Sequence, residues 1–282
     1  MPARPGFLTA MSVTVAVVVV ATVVVSALPP IPQDPAYHAF ADGRPLLGVP
    51  NALNVLSNVA FVLVGVWGLA FTIRHRRPTP GGPLTDHWEA TAFGVLFVAV
   101  GLTGAGSAWY HLAPTNGSLV WDRIPIAVIT TTLLAITIAD RVSIRAARWL
   151  WSPLVAFGVA SVLVWWRGEQ IEAGDLRLYA LAQFAPVLTI PLMIALFPPR
   201  YSRGGDLVVA MLWYILAKLC EHLDAQIFAL GQFVSGHTLK HLVAALAAWW
   251  VLRMLERRRP VAQLSLDSTC EWSRTPPPTA RL

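Results

Sequence analysis

The chain has 282 residues, 56% of them hydrophobic and only 13% charged, with a formal net charge of +6. A soluble domain carries roughly a quarter charged residues, so this composition excludes an ordinary soluble fold. It also excludes a nucleic-acid binder, because the arginines lie in short loops between apolar runs and form no basic, aromatic-studded face.

In chain order, eight apolar runs appear, near Phe7–Leu28, Asn51–Ile73, Ala90–His111, Asp122–Ala139, Trp149–Trp166, Leu178–Pro198, Leu207–Ile227 and Ser235–Leu255. Each spans about 17 to 23 residues, enough for a helix to cross roughly 30 Å of hydrocarbon. None alternates in the way a membrane barrel strand must. The predicted fold is therefore all-α: a polytopic membrane bundle with a seven-helix core over residues 51–255, preceded by one extra hydrophobic helix within residues 1–30 and an outer loop over 31–50. The first run also has features of a signal peptide, with small residues at Ser26-Ala27. Its single n-region arginine, Arg4, and its length favour an uncleaved helix. Beyond it all, residues 256–282 read as a disordered cytoplasmic tail containing a Thr-Pro-Pro-Pro stretch. The two cysteines, Cys220 in a run and Cys270 in the tail, suggest neither a disulfide framework nor a cysteine metal site.

Counting arginines loop by loop gives an orientation. With the N-terminus inside and the distal tail left aside, thirteen fall on the cytoplasmic side and four on the outer side, namely Arg44, Arg123, Arg167 and Arg177. This positive-inside bias predicts both termini in the cytoplasm.

Ionisable residues within apolar runs are costly and mark candidate functional positions. Here they gather toward one side. His111 ends the third run, Asp122 opens the fourth, Glu221, His222 and Asp224 end the seventh, and His237 and His241 open the eighth. Residues four apart share a helix face, so His237 and His241 can present two imidazoles to one ion, with His111 as a third ligand. Three protein nitrogens plus water is the pattern of a catalytic zinc site, whose water a nearby carboxylate can hold or deprotonate. Asp122 suits that role, and Ser107, four residues before His111, can donate to an oxyanion. Each has a plainer reading. The two histidines suit an interface near headgroups, Asp122 a helix N-cap, and Ser107 the packing between helices. Trp109 and Tyr110 read as an interfacial aromatic belt. Lys218, Glu221 and His222 have the spacing of a buried ion pair, while Glu221 or Asp224 also suits a partner that orients a zinc histidine.

Taken together, Ser107-x-x-x-His111, Asp122 and His237-x-x-x-His241 resemble the alkaline ceramidase superfamily of seven-helix membrane hydrolases, related to the adiponectin receptors and haemolysin III proteins. The resemblance covers roughly Asn51 to Leu255. Asn54-Val-Leu-Ser57-Asn58 is similar to the Asn-x-x-Ser-Asn stretch of the ceramidase branch. It implies zinc on His111, His237 and His241, Asp122 orienting the attacking water and Ser107 supporting the oxyanion. The implied reaction is hydrolysis of the amide of ceramide or a related membrane lipid, at the extracytoplasmic face. In one place the chain departs from the family. The calcium-binding glutamate of animal and yeast ceramidases is replaced by Asn51, with Asp34 and Asp42 remaining nearby, so calcium is not expected. The competing expectations are a non-enzymatic receptor or regulator with a structural zinc, and a transporter or proton relay.

Overall fold

A computed structural model describes residues 5–262. Among these, the regular elements are helical and there is no β-strand. They are α1 (Phe7–Ala27), α2 (Ala52–Ser57), α3 (Val59–Arg74), α4 (His87–Leu112), α5 (Asn116–Arg141), α6 (Ile144–Glu169), α7 (Arg177–Leu196), α8 (Gly205–His222), α9 (Asp224–Ala229) and α10 (Gly236–Arg257), with a 3-10 turn at Pro35–His38. The expected tail lies, from residue 263 on, outside the described residues, as do Cys270 and Arg4.

Among the described residues, seven segments are long and apolar enough to cross a bilayer: α1, the α2–α3 pair, α4, α5, α6, α7 and α10. The eighth expected run does form a helix, α8, about 27 Å long at roughly 1.5 Å per residue. It carries Asp206, Lys218 and Glu221, and so falls short of the apolarity of the others. It also ends at His222, where the expected run continued to Ile227, because the chain breaks at Leu223 before α9 begins. Large apolar side chains cover the outside, among them Trp67, Trp121 and Trp149, the last 77% exposed. Such a surface belongs in lipid, and the protein is a multi-pass membrane bundle.

Local chemistry accounts for the helix ends. Asp86 accepts from the Trp88 amide at 2.7 Å to start α4. Thr115 and Ser118 form a reciprocal capping box at the start of α5. Ser235 caps α10 through the Thr238 amide at 3.2 Å. The fourth span thus begins at Asn116, six residues before its expected start, and Asp122 sits inside the helix with no part in its cap. For the same reason Arg123, expected at the outer end of the fourth run, is buried within α5.

One contact sets the spacing of α4 and α5. Pro125 lacks an N–H, which frees the Trp121 carbonyl from its usual helical partner. That carbonyl faces Gly106 on α4, where any Cβ would collide with it. The two backbones therefore approach closely next to Ser107 and Asp122, and the glycine is required there for steric reasons. At the opposite end of the bundle, Glu89 accepts from the Tyr201 hydroxyl at 2.7 Å, and Arg258 lies 3.5 Å from the same carboxylate.

Candidate metal centre

The three histidines come together at one end of the bundle. His111 is in the last turn of α4, while His237 and His241 are in the first two turns of α10, and all three are buried. Their ring centroids are 4.9, 4.9 and 5.0 Å apart, and one nitrogen from each lies within 4.8 Å of the others. Among the described residues this is the group of His, Cys, Asp and Glu side chains placed to hold a metal ion.

The surrounding hydrogen bonds fit such a group. Ser57 donates its proton to the Asn54 carbonyl at 3.0 Å, so its oxygen accepts from His241 Nδ1 at 2.8 Å. This arrangement assigns the proton to Nδ1 and leaves the lone pair on Nε2. His241 Nε2 then faces His111 Nε2 at 3.2 Å, and two such nitrogens need a proton or a cation between them. His111 Nδ1 is buried with no hydrogen-bond partner among the described residues. One feature works against a cation: Lys240 Nζ donates to His237 Nε2 at 2.9 Å, so a metal at that nitrogen must displace the ammonium.

Ser107 is buried one turn before His111, with Oγ 3.5 Å from His241 Nε2, and it lies beside the buried Asp122 carboxylate. All the expected ligands and both expected catalytic side chains therefore converge. The outer candidates behave differently. Glu221 forms ion pairs with Lys218 and with Lys240, the latter at 2.9 Å, and accepts from the Tyr37 hydroxyl at 3.1 Å. Its link to the histidines runs through Lys240. Asp224 accepts from the backbone amides of His237 at 2.7 Å and Ala41 at 2.9 Å, positioning the start of α10 without touching an imidazole. His222 is exposed and stays outside the cluster.

The loop between α1 and α2 folds over the centre. Phe40 packs edge-on against His111 and His237, with centroids 4.5 and 4.7 Å away. Burial, and after it the Glu221 charge, pushes the Tyr37 phenol well above its usual pKa, so its hydroxyl remains a donor. Tyr110, expected in an aromatic belt, is buried, with its hydroxyl 2.9 Å from His38 Nδ1, whereas Trp109 does face outward. The carboxylates weighed for calcium have other partners. Asp42 is bound by the Arg44 guanidinium at 2.7 and 2.8 Å, Asp34 caps the 3-10 turn through Ala36, and Asn51 donates to the His111 carbonyl at 2.8 Å.

Sequence reasoning had not assigned a role to Lys240, Phe40, Tyr37 or Arg123. Ser57 was noted only as part of a resemblance. Its signal was available all the same, since Asn54, Ser57 and Asn58 are three polar groups inside an apolar run.

The centre opens on a cavity of about 390 Å³ that runs between α5, α7, α8 and α10. This is within the range of roughly 300–1,000 Å³ usual for ligand pockets. Its walls are mostly apolar, while Ser107, Asp122 and His241 lie at its polar end. No protein-family model matches the chain, and no curated protein matches it.

Proposed function

We propose that this chain is a zinc-dependent membrane hydrolase that cleaves the amide bond of ceramide or a related lipid amide. The supporting observation is that three buried histidines, a buried carboxylate and a serine hydroxyl meet at the polar end of an apolar cavity. His111, His237 and His241 would hold the ion, and zinc when bound supplies the Lewis acidity that brings water toward deprotonation near neutral pH. Asp122 holds the attacking water and takes its proton. Ser107 donates to the oxygen that gains charge as the carbonyl is attacked. Phe40 and Tyr37 keep bulk water from the reacting carbonyl, and the acyl chain lies along the cavity wall, with access from the bilayer between the helices. The arginine distribution supports an arrangement with both termini in the cytoplasm and the centre on the extracytoplasmic side.

A receptor or regulator with zinc as a staple between helices would need the three histidines alone. The adjoining cavity, with Asp122 and Ser107 in its wall, favours hydrolysis. The deciding experiment compares the purified protein with His237→Ala. The parent is expected to contain about one zinc and to release fatty acid from lipid amides, and the variant to lose both. Full lipid turnover by a stably folded His237→Ala protein would overturn the proposal. Stoichiometric zinc without turnover on any acyl amide would favour the receptor.

A further inference from the structure

The cavity wall contains three cations, Arg123, Lys218 and Lys240, and two carboxylates, Asp122 and Glu221. Most of these charges are already engaged. Glu221 accepts from Lys218, Lys240 and Tyr37, and Asp122 interacts with Ser107. Arg123 differs from the rest. It is only 6% exposed, and among the described residues no carboxylate forms an ion pair with it. Its Nη2 donates to the neutral Gln33 Oε1 at 2.6 Å, and among the described residues its Nη1 has no hydrogen-bond partner. The guanidinium is walled by the Trp165, Tyr179 and Tyr37 rings at 4.2, 5.0 and 5.6 Å. Aromatic faces attract the cation but do not neutralise it. A buried guanidinium with an unused donor, adjacent in sequence to the proposed base, is suited to recognising a planar anion.

We propose that Arg123 receives a carboxylate on the head group of the lipid amide, so that the substrate class is the long-chain N-acyl amino acids and similar acidic acyl amides. This rests on the hydrolase reading and narrows it. The balance is simple: water adds across the C–N bond, its hydroxyl to the acyl carbon and its hydrogen to the nitrogen. A fatty acid and an amino acid leave, and no oxidant or reductant is needed. Arg123 is a binding and specificity residue in this scheme, and Asp122 handles the proton.

The test uses the full chain in a neutral maltoside detergent with two probes, N-oleoylglycine and N-oleoylethanolamide. They share the acyl chain and the amide and differ in the carboxylate. Binding is measured on metal-free protein, and turnover on zinc-loaded protein. The parent is expected to bind the glycine conjugate about tenfold more tightly than the neutral amide. Arg123→Gln should narrow that ratio and raise KM for the glycine conjugate more than it lowers kcat, with Arg123→Lys restoring part of the preference. Equal binding of the two amides by the parent protein overturns the proposal, and this comparison needs no variant to fold. So does a folded Arg123→Gln protein that loses both amides to the same degree. Carboxylate-selective binding without turnover of either amide would support the anion site while refuting the hydrolase reading.

Discussion

Replacing Asp122 with asparagine separates catalysis from metal binding and from folding. The carboxylate is 6% exposed, lies beside Ser107 and, among the described residues, forms no ion pair, so the substitution breaks no direct contact with a cation. Asparagine has almost the same shape and keeps an oxygen for the Ser107 hydroxyl. The helix does not depend on it either, since the α5 cap is formed by Thr115 and Ser118. A stability change below about 1 kcal/mol is therefore expected. What disappears is a proton acceptor. A positioned general base contributes about 10²–10⁴-fold in rate, or about 3–5 kcal/mol of barrier at 1.36 kcal/mol per tenfold. The assay combines single-turnover fatty-acid release with metal analysis and thermal melting of the same preparation. Asp122→Asn should lose rate by that factor while retaining its zinc and its melting temperature. Turnover within a few-fold of the parent would refute the assignment of Asp122 as the base. Loss of zinc together with activity would refute it differently, by making the carboxylate a ligand.

Gly106→Val should drive α4 away from the freed Trp121 carbonyl, separating Ser107 from Asp122 and costing on the order of 1–3 kcal/mol, read from thermal melting with zinc bound. Lys240→Met removes the ammonium beside His237 Nε2 and should tighten zinc binding by about tenfold, ~1.4 kcal/mol, measured by competition with a chelator; weaker binding would contradict the repulsion. In the outer loop, the hydrogen-bonding Arg44 guanidinium holds the Asp42 carboxyl below its ordinary pKa. A depressed folded pKa gives stability that is present above the unfolded value and lost as pH falls through the folded one. Loop amides around Asp42 should therefore be less protected from exchange, relative to their intrinsic rates at each pH, below about pH 4 than at pH 6, and Asp42→Asn should abolish that difference.

The histidine triad was legible because charges are so sparse in these runs that each one stood out, and an i, i+4 pair implies a shared face. Ser107 and Asp122 followed from their spacing to His111. The breaks at Asn58 and Leu223 were not legible. Hydropathy averages over a window and gives no sign of a helix that stops and restarts within an apolar stretch. The burial of Arg123 was not legible for a related reason. It stood at the outer end of its expected run, but the Thr115–Ser118 box starts α5 earlier, and aromatic rings distant in sequence enclose the guanidinium. Lys240 was visible as a charge within a span. Its direction, toward His237 and Glu221, depends on α8 packing against α10 and could not be read from α10 alone.

The N-terminal helix raises a question of timing during synthesis. α1 packs chiefly on α7, and its end is tied there by the Arg177 guanidinium, which donates to the Leu28 carbonyl across 149 positions of sequence. On the ribosome α1 therefore emerges long before its partner exists, and it must remain in the bilayer with lipid as its only neighbour. Its composition suits that wait. It carries no charge, and Thr14 and Thr22 each bond their own backbone four residues earlier, at 2.8 Å, so neither of these hydroxyls needs another helix. The polar helices, α8 with its Lys218–Glu221 pair and α10 with its histidines, follow later, and Glu221 waits in turn for Lys240 of α10.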